Sequence, residues 1–119
     1  MNARPRVVIV EDDADVRDLL TLVVASMGGA QVVGTASDVA GGSLLLQRLQ
    51  PDAALIDVGL PDGSGLELLQ VSPATRKVVL SAAVIDDQTL LTESGARAFL
   101  QKPCLPQEIV SALRHAVDS

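Results

Sequence analysis

Ala53-Ala54-Leu55-Ile56-Asp57-Val58-Gly59-Leu60-Pro61-Asp62-Gly63 is the stretch on which the fold turns. Four apolar residues run without interruption into an aspartate, and a loop punctuated by glycine and proline follows. Near the start of the chain the same pattern recurs: Val7-Val8-Ile9-Val10 runs straight into Glu11-Asp12-Asp13. Each acidic site therefore lies where a buried strand meets a loop. If the two strands are parallel neighbours, three carboxylates converge in one crevice. At ~5 Å and an effective dielectric of ~20, each pair of negative charges would repel by roughly 3 kcal/mol. A bound divalent cation relieves such repulsion.

Outward from these strands the chain alternates. Strands are predicted over about 6–10, 30–36, 52–56, 77–81 and 97–101. Helices are predicted over about 14–27, 38–50, 64–71, 86–94 and 106–117. Val16, Leu19, Leu20, Val23 and Val24 have helical spacing, and Gly28-Gly29 stops that helix. Ser37 or Asp38 caps the second helix, and Pro51 ends it. Gly41-Gly42 weakens it by about 1 kcal/mol per glycine relative to alanine. Ser72-Pro73 breaks the third helix. Ile109, Val110, Leu113 and Val117 share one face of the last.

Strands one, three and four are nearly all apolar, so both of their faces must be covered. That is the pattern of a parallel sheet between helical layers. With right-handed crossovers, the expectation is an α/β, doubly wound, five-stranded parallel sheet in the order 2-1-3-4-5. Strands one and three are then neighbours whose connections diverge. The crevice at their carboxyl ends is the default ligand site, and Asp12, Asp13 and Asp57 belong to it.

Composition excludes several classes. The chain has 119 residues, which suits a single domain over 1–119. Its net charge of −6 disfavours direct nucleic-acid binding, and it has no Trp or Tyr and one Phe for base stacking. No apolar run reaches transmembrane length. Met1 to Pro5 is too short and polar for a signal peptide. The single cysteine, Cys104, cannot form an internal disulfide, and a reducing cytoplasm is the expected compartment.

Two more polar residues fall at carboxyl ends of strands: Ser81 after Val79-Leu80, and Lys102 after Phe99-Leu100-Gln101. Gly59, Gly63 and Gly65 in the loop after Asp57 permit tight turns and close backbone approach. An acid pair, a separate aspartate, a hydroxyl and a lysine on one rim suit phosphoryl transfer to a carboxylate. The carboxylate is the nucleophile of an acyl phosphate. Magnesium takes carboxylate, phosphate and water oxygens. Lys102 would neutralise one phosphoryl oxygen and Ser81 would donate to another.

At these residues the chain resembles the receiver domain of bacterial two-component response regulators, over essentially its whole length. The resemblance rests on Asp12-Asp13, Asp57 with Leu60-Pro61 and Gly65, Ser81-Ala82, and Lys102-Pro103. It implies the (βα)5 fold of flavodoxins and chemotaxis regulators. It also implies a phosphorylation-dependent switch, not an enzyme acting on other substrates. Asp57 would accept phosphate from a histidine kinase or phosphotransfer protein in a Mg2+- (or Mn2+-) dependent reaction. Asp12, Asp13, Asp57 and the backbone carbonyl of Gly59 would hold the metal, with Asp13 the more direct ligand. Ser81 and Phe99 would switch, and the Lys102-Pro103 bond would be cis. Gly59 and Ala83, smaller than in many relatives, would set how readily water reaches the acyl phosphate. The output partner, fused domain or second copy would use the face formed by 86–94, 97–101 and 106–117. A receiver fragment of a longer DNA-binding regulator is the alternative.

Simpler readings exist for each residue alone. Asp12-Asp13 suits a helix N-terminus, as does Asp86-Asp87. Cys104 is read as an ordinary small residue, and His115 as solvated. A haloacid-dehalogenase-type phosphatase would want a second carboxylate where Gly59 stands. A flavodoxin-like carrier would need aromatics for the flavin and a phosphate loop that Glu11-Asp12-Asp13 would repel.

Overall fold

The computed structural model describes residues 4–26, 29–82 and 94–118. Its elements follow the expected alternation. They are β1 (Arg6–Val10), α1 (Ala14–Ser26), β2 (Gln31–Ala36), α2 (Val39–Leu49) and β3 (Ala53–Asp57). A small hairpin of β4 (Gly59–Leu60) and β5 (Gly63–Ser64) leads into a 3-10 helix, Gly65–Gln70. β6 (Arg76–Ser81), β7 (Ala96–Gln101) and α3 (Pro106–Asp118) complete the chain. Of the helix expected over 86–94, all but Ser94 lies outside the described residues, as does Ala83.

The five long strands form one parallel sheet in the order β2-β1-β3-β6-β7, which is the expected 2-1-3-4-5. Alternation along the strands divides the core in two. Val7, Ile9, Ala53, Leu55, Val78 and Leu80 pack against Leu20 and Val24 of α1 and Ile109, Leu113 and Ala116 of α3. Val8, Val10, Ala54 and Ile56 face the other way, onto Leu46 of α2 and Leu68 of the 3-10 helix. Every residue of β3 is buried, as an unbroken apolar run at the sheet centre requires.

Local chemistry explains the element ends. Asp38 caps α2 by accepting from Gly41 N–H at 2.7 Å, and Gln50 closes it in the left-handed region at φ 44°. Gly42, expected only to weaken this helix, sits where a Cβ would lie 3.0 Å from both Val10 and Leu68. The glycine is what lets α2 approach the sheet.

The short helix expected over 64–71 is present as a 3-10 helix. Ser64 and Glu67 form a capping box: Leu66 N–H donates to the Ser64 hydroxyl and Ser64 N–H to Glu67 Oε2. The six residues wind as a 3-10 helix, which puts the adjacent Leu68 and Leu69 into two different clusters. At its start, Gly65 lies so close to β3 that a Cβ would collide with the Asp57 carbonyl oxygen and stand 2.8 Å from Ile56 Cγ2.

A buried lysine lies towards the amino end of β6. Lys77 is 1% exposed, its Nζ donates to the Ser72 carbonyl at 2.8 Å, and burial holds its pKa below the ordinary value. Beside it the Ser72 and Thr75 hydroxyls lie 2.6 Å apart, and Thr75 donates to the Pro51 carbonyl. Nothing in the sequence pattern distinguished this lysine from a solvated one.

Gly65→Ala is expected to lower stability by about 1–3 kcal/mol, because the added methyl has no space. Gly59→Ala, whose methyl would meet nothing within 4 Å, should leave stability unchanged or slightly higher. Urea denaturation of both variants checks this pair.

Candidate functional site

Four parallel strands deliver their carboxyl ends to one rim. β1 delivers Glu11 and Asp12, β3 ends on Asp57, and β7 leads into Lys102. Between the last two, β6 ends on the buried Ser81, whose carbonyl accepts from Lys102 N–H at 2.7 Å. That bond fixes the start of the Lys102 loop, and the Lys102–Pro103 peptide bond is cis.

Lys102 is the centre of charge. Its Nζ lies 2.9 Å from Glu11 Oε1 and 3.0 Å from Asp57 Oδ1. Glu11 is 1% exposed and Asp57 7%, so both carboxylates need this partner. Burial tends to lower the lysine's pKa, but the hydrogen bonds and charges of Glu11 and Asp57 outweigh it and raise it. A raised folded value means the stabilisation is fully present below the ordinary lysine value of 10.5 and is lost only as pH climbs through the folded value. The Lys102 ammonium is therefore fully charged at neutral pH.

The expected residues do not all meet. Carboxylate oxygens of Glu11, Asp12 and Asp57 lie within 4.8 Å of one another. Asp13 is turned away from them. Its Oδ1 accepts from Asp15 N–H at 2.9 Å and Val16 N–H at 3.1 Å, so its side chain caps α1. The acid pair beside Asp57 is Glu11 with Asp12, one residue earlier than Asp12 with Asp13. The physical reason is that α1 begins at Ala14 and its free N–H groups claim the carboxylate just before it. Arg17 braces the loop from α1 by donating to the Glu11 carbonyl at 2.9 Å. The missed residue, Glu11, did carry a signal: it directly continues a buried strand, and a buried glutamate requires a cation.

Three hard oxygen donors converging from two strands fit a small divalent cation. Gly59 is exposed in the hairpin after Asp57, with open space at its Cα. Phe99 is half-buried and packs against the cluster of Leu69, Val79 and Ala96. Ala83 lies outside the described residues. Cys104 is half-buried, and its thiol is pushed up by burial and by Glu108. A groove of about 260 Å³ between Pro5, Val7, Leu113 and Val117 opens at the amino ends of the strands, away from the carboxylates.

The fold is a doubly wound α/β domain with a rim of acids and a lysine at the carboxyl ends of its strands. The response regulator receiver domain family matches residues 7–114, and the chain belongs to that family. It is 33% identical over 116 residues to the DNA-binding response regulator MtrA of Mycolicibacterium paratuberculosis, covering 93% of this chain and 50% of MtrA. It is 34% identical over 114 residues to the response regulator GacA of Pseudomonas aeruginosa, covering 92% of this chain and 53% of GacA. The chain thus spans about half the length of these relatives. Among solved structures, the signal receiver domain of the putative response regulator NarL from Mycobacterium tuberculosis superposes with a TM-score of 0.85. It is 27% identical, with 99% of each chain covered. Among the described residues, no helix is long and apolar enough to cross a membrane.

Lys102→Met should destabilise the protein, because two buried carboxylates lose their shared cation. The expected cost is about 1–3 kcal/mol, below that of breaking a fully buried pair because the lysine side chain is 29% exposed. Denaturant titration at neutral pH in metal-free buffer measures it. An unchanged midpoint would contradict the assigned role.

Proposed function

We propose that Asp57 accepts a phosphoryl group from the phosphohistidine of a partner histidine kinase or phosphotransfer protein. The observation that carries this reading is the Asp57 carboxylate: buried at a strand end, 3.0 Å from a lysine ammonium, and within 4.8 Å of two further carboxylates. Such a group is held in place, and the negative charge that a phosphoryl group adds is offset by the lysine already beside it. An Asp57 oxygen attacks phosphorus, the P–N bond breaks, and the imidazole leaves carrying its electron pair, to be protonated by solvent. Lys102 follows the new charge, exchanging the Asp57 oxygen for a phosphoryl oxygen while keeping Glu11. The Ser81 hydroxyl donates to a second phosphoryl oxygen.

Asp12 and Asp57, with Glu11 beside them and the Gly59 carbonyl, would hold Mg2+ or Mn2+. The cation, when bound, supplies positive charge to the phosphoryl oxygens. The chain's own catalysis is limited to its phosphorylation and dephosphorylation. Open space at Gly59 supports water access to the acyl phosphate, so a bulky residue there slows hydrolysis, as would one at Ala83.

Movement of Ser81 towards Asp57 favours an inward Phe99, since unfilled core space is costly. The signal leaves through β7, α3 and the segment 83–93 between β6 and β7, to a fused domain, partner or second copy. The lengths of MtrA and GacA support a receiver working within a longer cytoplasmic regulator, with any DNA contact made by the other part.

Incubation with a small acyl phosphate and magnesium should add one phosphoryl mass, and Asp57→Asn should remove it. Full modification in that variant would sink the assignment. Calorimetric titration separates the two aspartates. Asp12→Ala should lose most magnesium affinity. Asp13→Ala should retain it and cost about 0.5–2 kcal/mol of stability through the lost cap.

A further inference from the structure

The loop that follows Asp57 is tied to a helix that begins 18 residues earlier in the chain. Pro61 and Asp62 join the two arms of the hairpin, in which Gly59 pairs with Ser64 and Leu60 with Gly63. Gly59, Pro61, Asp62 and Gly63 are all exposed, and Leu60 alone of the four linking residues 59–62 reaches the core. Asp62 supplies the second anchor. Its Oδ1 accepts from Val39 N–H at 2.7 Å and its Oδ2 from Ala40 N–H at 3.0 Å.

These two donors open the first turn of α2, where backbone N–H groups have no partner within the helix. The helix's own cap, Asp38, serves Gly41 and leaves them free for Asp62. A carboxylate also suits the positive end of the helix dipole. The bond to Val39 is the foremost reason the Asp62 carboxyl sits below the ordinary carboxylate range; burial opposes it, and the bonds from Ala40 N–H and from the backbone N–H of Asp62 itself add to the lowering. α2 in turn is a firm base, because Gly42 lets it press on Val10 of β1 and Leu68 of the 3-10 helix.

We infer that Asp62 is a positioning residue for phosphoryl acceptance: it clamps the Asp57 loop to α2 and so holds Gly59 beside the acidic cluster. The inference rests on the phosphoacceptor reading above. Without the clamp the hairpin keeps its Leu60 anchor and its capping box, so the fold survives. The tip is then free to move, and Gly59 moves with it.

The test compares two caps on the same helix. Asp62→Ala removes the clamp. Asp38→Ala removes a cap of similar worth from α2 but leaves the hairpin's bonds intact. For each variant, thermal unfolding is measured together with phosphorylation by a small acyl phosphate across a magnesium series. Both variants should unfold at lower temperature. Asp62→Ala alone should need about tenfold more magnesium for half-maximal labelling, as loss of a residue orienting a metal site does. Asp62→Asn, which keeps one accepting oxygen, should recover part of the difference. Equal magnesium dependence in Asp62→Ala, Asp38→Ala and the unaltered protein would overturn the inference while leaving Asp57 as acceptor. An unaltered protein that takes no label would overturn the Asp57 reading and this inference with it.

Discussion

One ammonium group sits where three strands end. Lys102 reaches back from the end of β7 to Glu11 after β1 and Asp57 at the end of β3. Two carboxylates this deeply buried repel each other and have lost most of their water, so neither is tolerable without a cation. The same lysine is only partly buried, which leaves its ammonium able to follow charge that appears outside the cluster. A fully enclosed pair would stabilise the fold and do nothing else. This one is set at the boundary between core and solvent, where a change of partner is possible.

The backbone around Asp57 is arranged to keep that geometry. Gly65 passes against the Asp57 carbonyl with no room for a side chain, and its N–H donates to the Val58 carbonyl at 2.9 Å. Val58 N–H donates in turn to the Leu80 carbonyl, one residue before Ser81. The strand ends that carry Asp57 and Ser81 are thus linked through the backbone. On the far side, Asp62 ties the same loop to α2. The loop is thus held at several points, whereas the Lys102 side chain beside it is only partly buried.

Much of this was legible from local pattern. The apolar runs at 7–10, 53–56 and 78–80 implied strands covered on both faces, and that implied a parallel sheet with its site at the carboxyl ends. Asp57, Asp12, Ser81 and Lys102 were all placed on one rim by the same reasoning. It also placed Asp13 there in the position that Glu11 occupies, because three successive acids cannot be told apart by local pattern; the start of α1 decided which of them became its cap. The 3-10 winding after Ser64 escaped for a similar reason. The adjacent Leu68 and Leu69 belong to two separate clusters, which only the packing reveals.

Sequence by itself determined the strand order, the burial of β3 and the acidic, carboxylate-bearing character of the rim. Those follow from short-range periodicity and from residue types, which act along the chain. Tertiary structure alone decided the partners: Lys102 with Glu11 across 91 residues, Asp62 with Val39 across 23, and Thr75 with Pro51 across 24 inside a polar corner no pattern announced. A side chain's partner depends on which groups packing brings within about 3 Å. Local propensity carries no information at that distance between segments far apart in the chain.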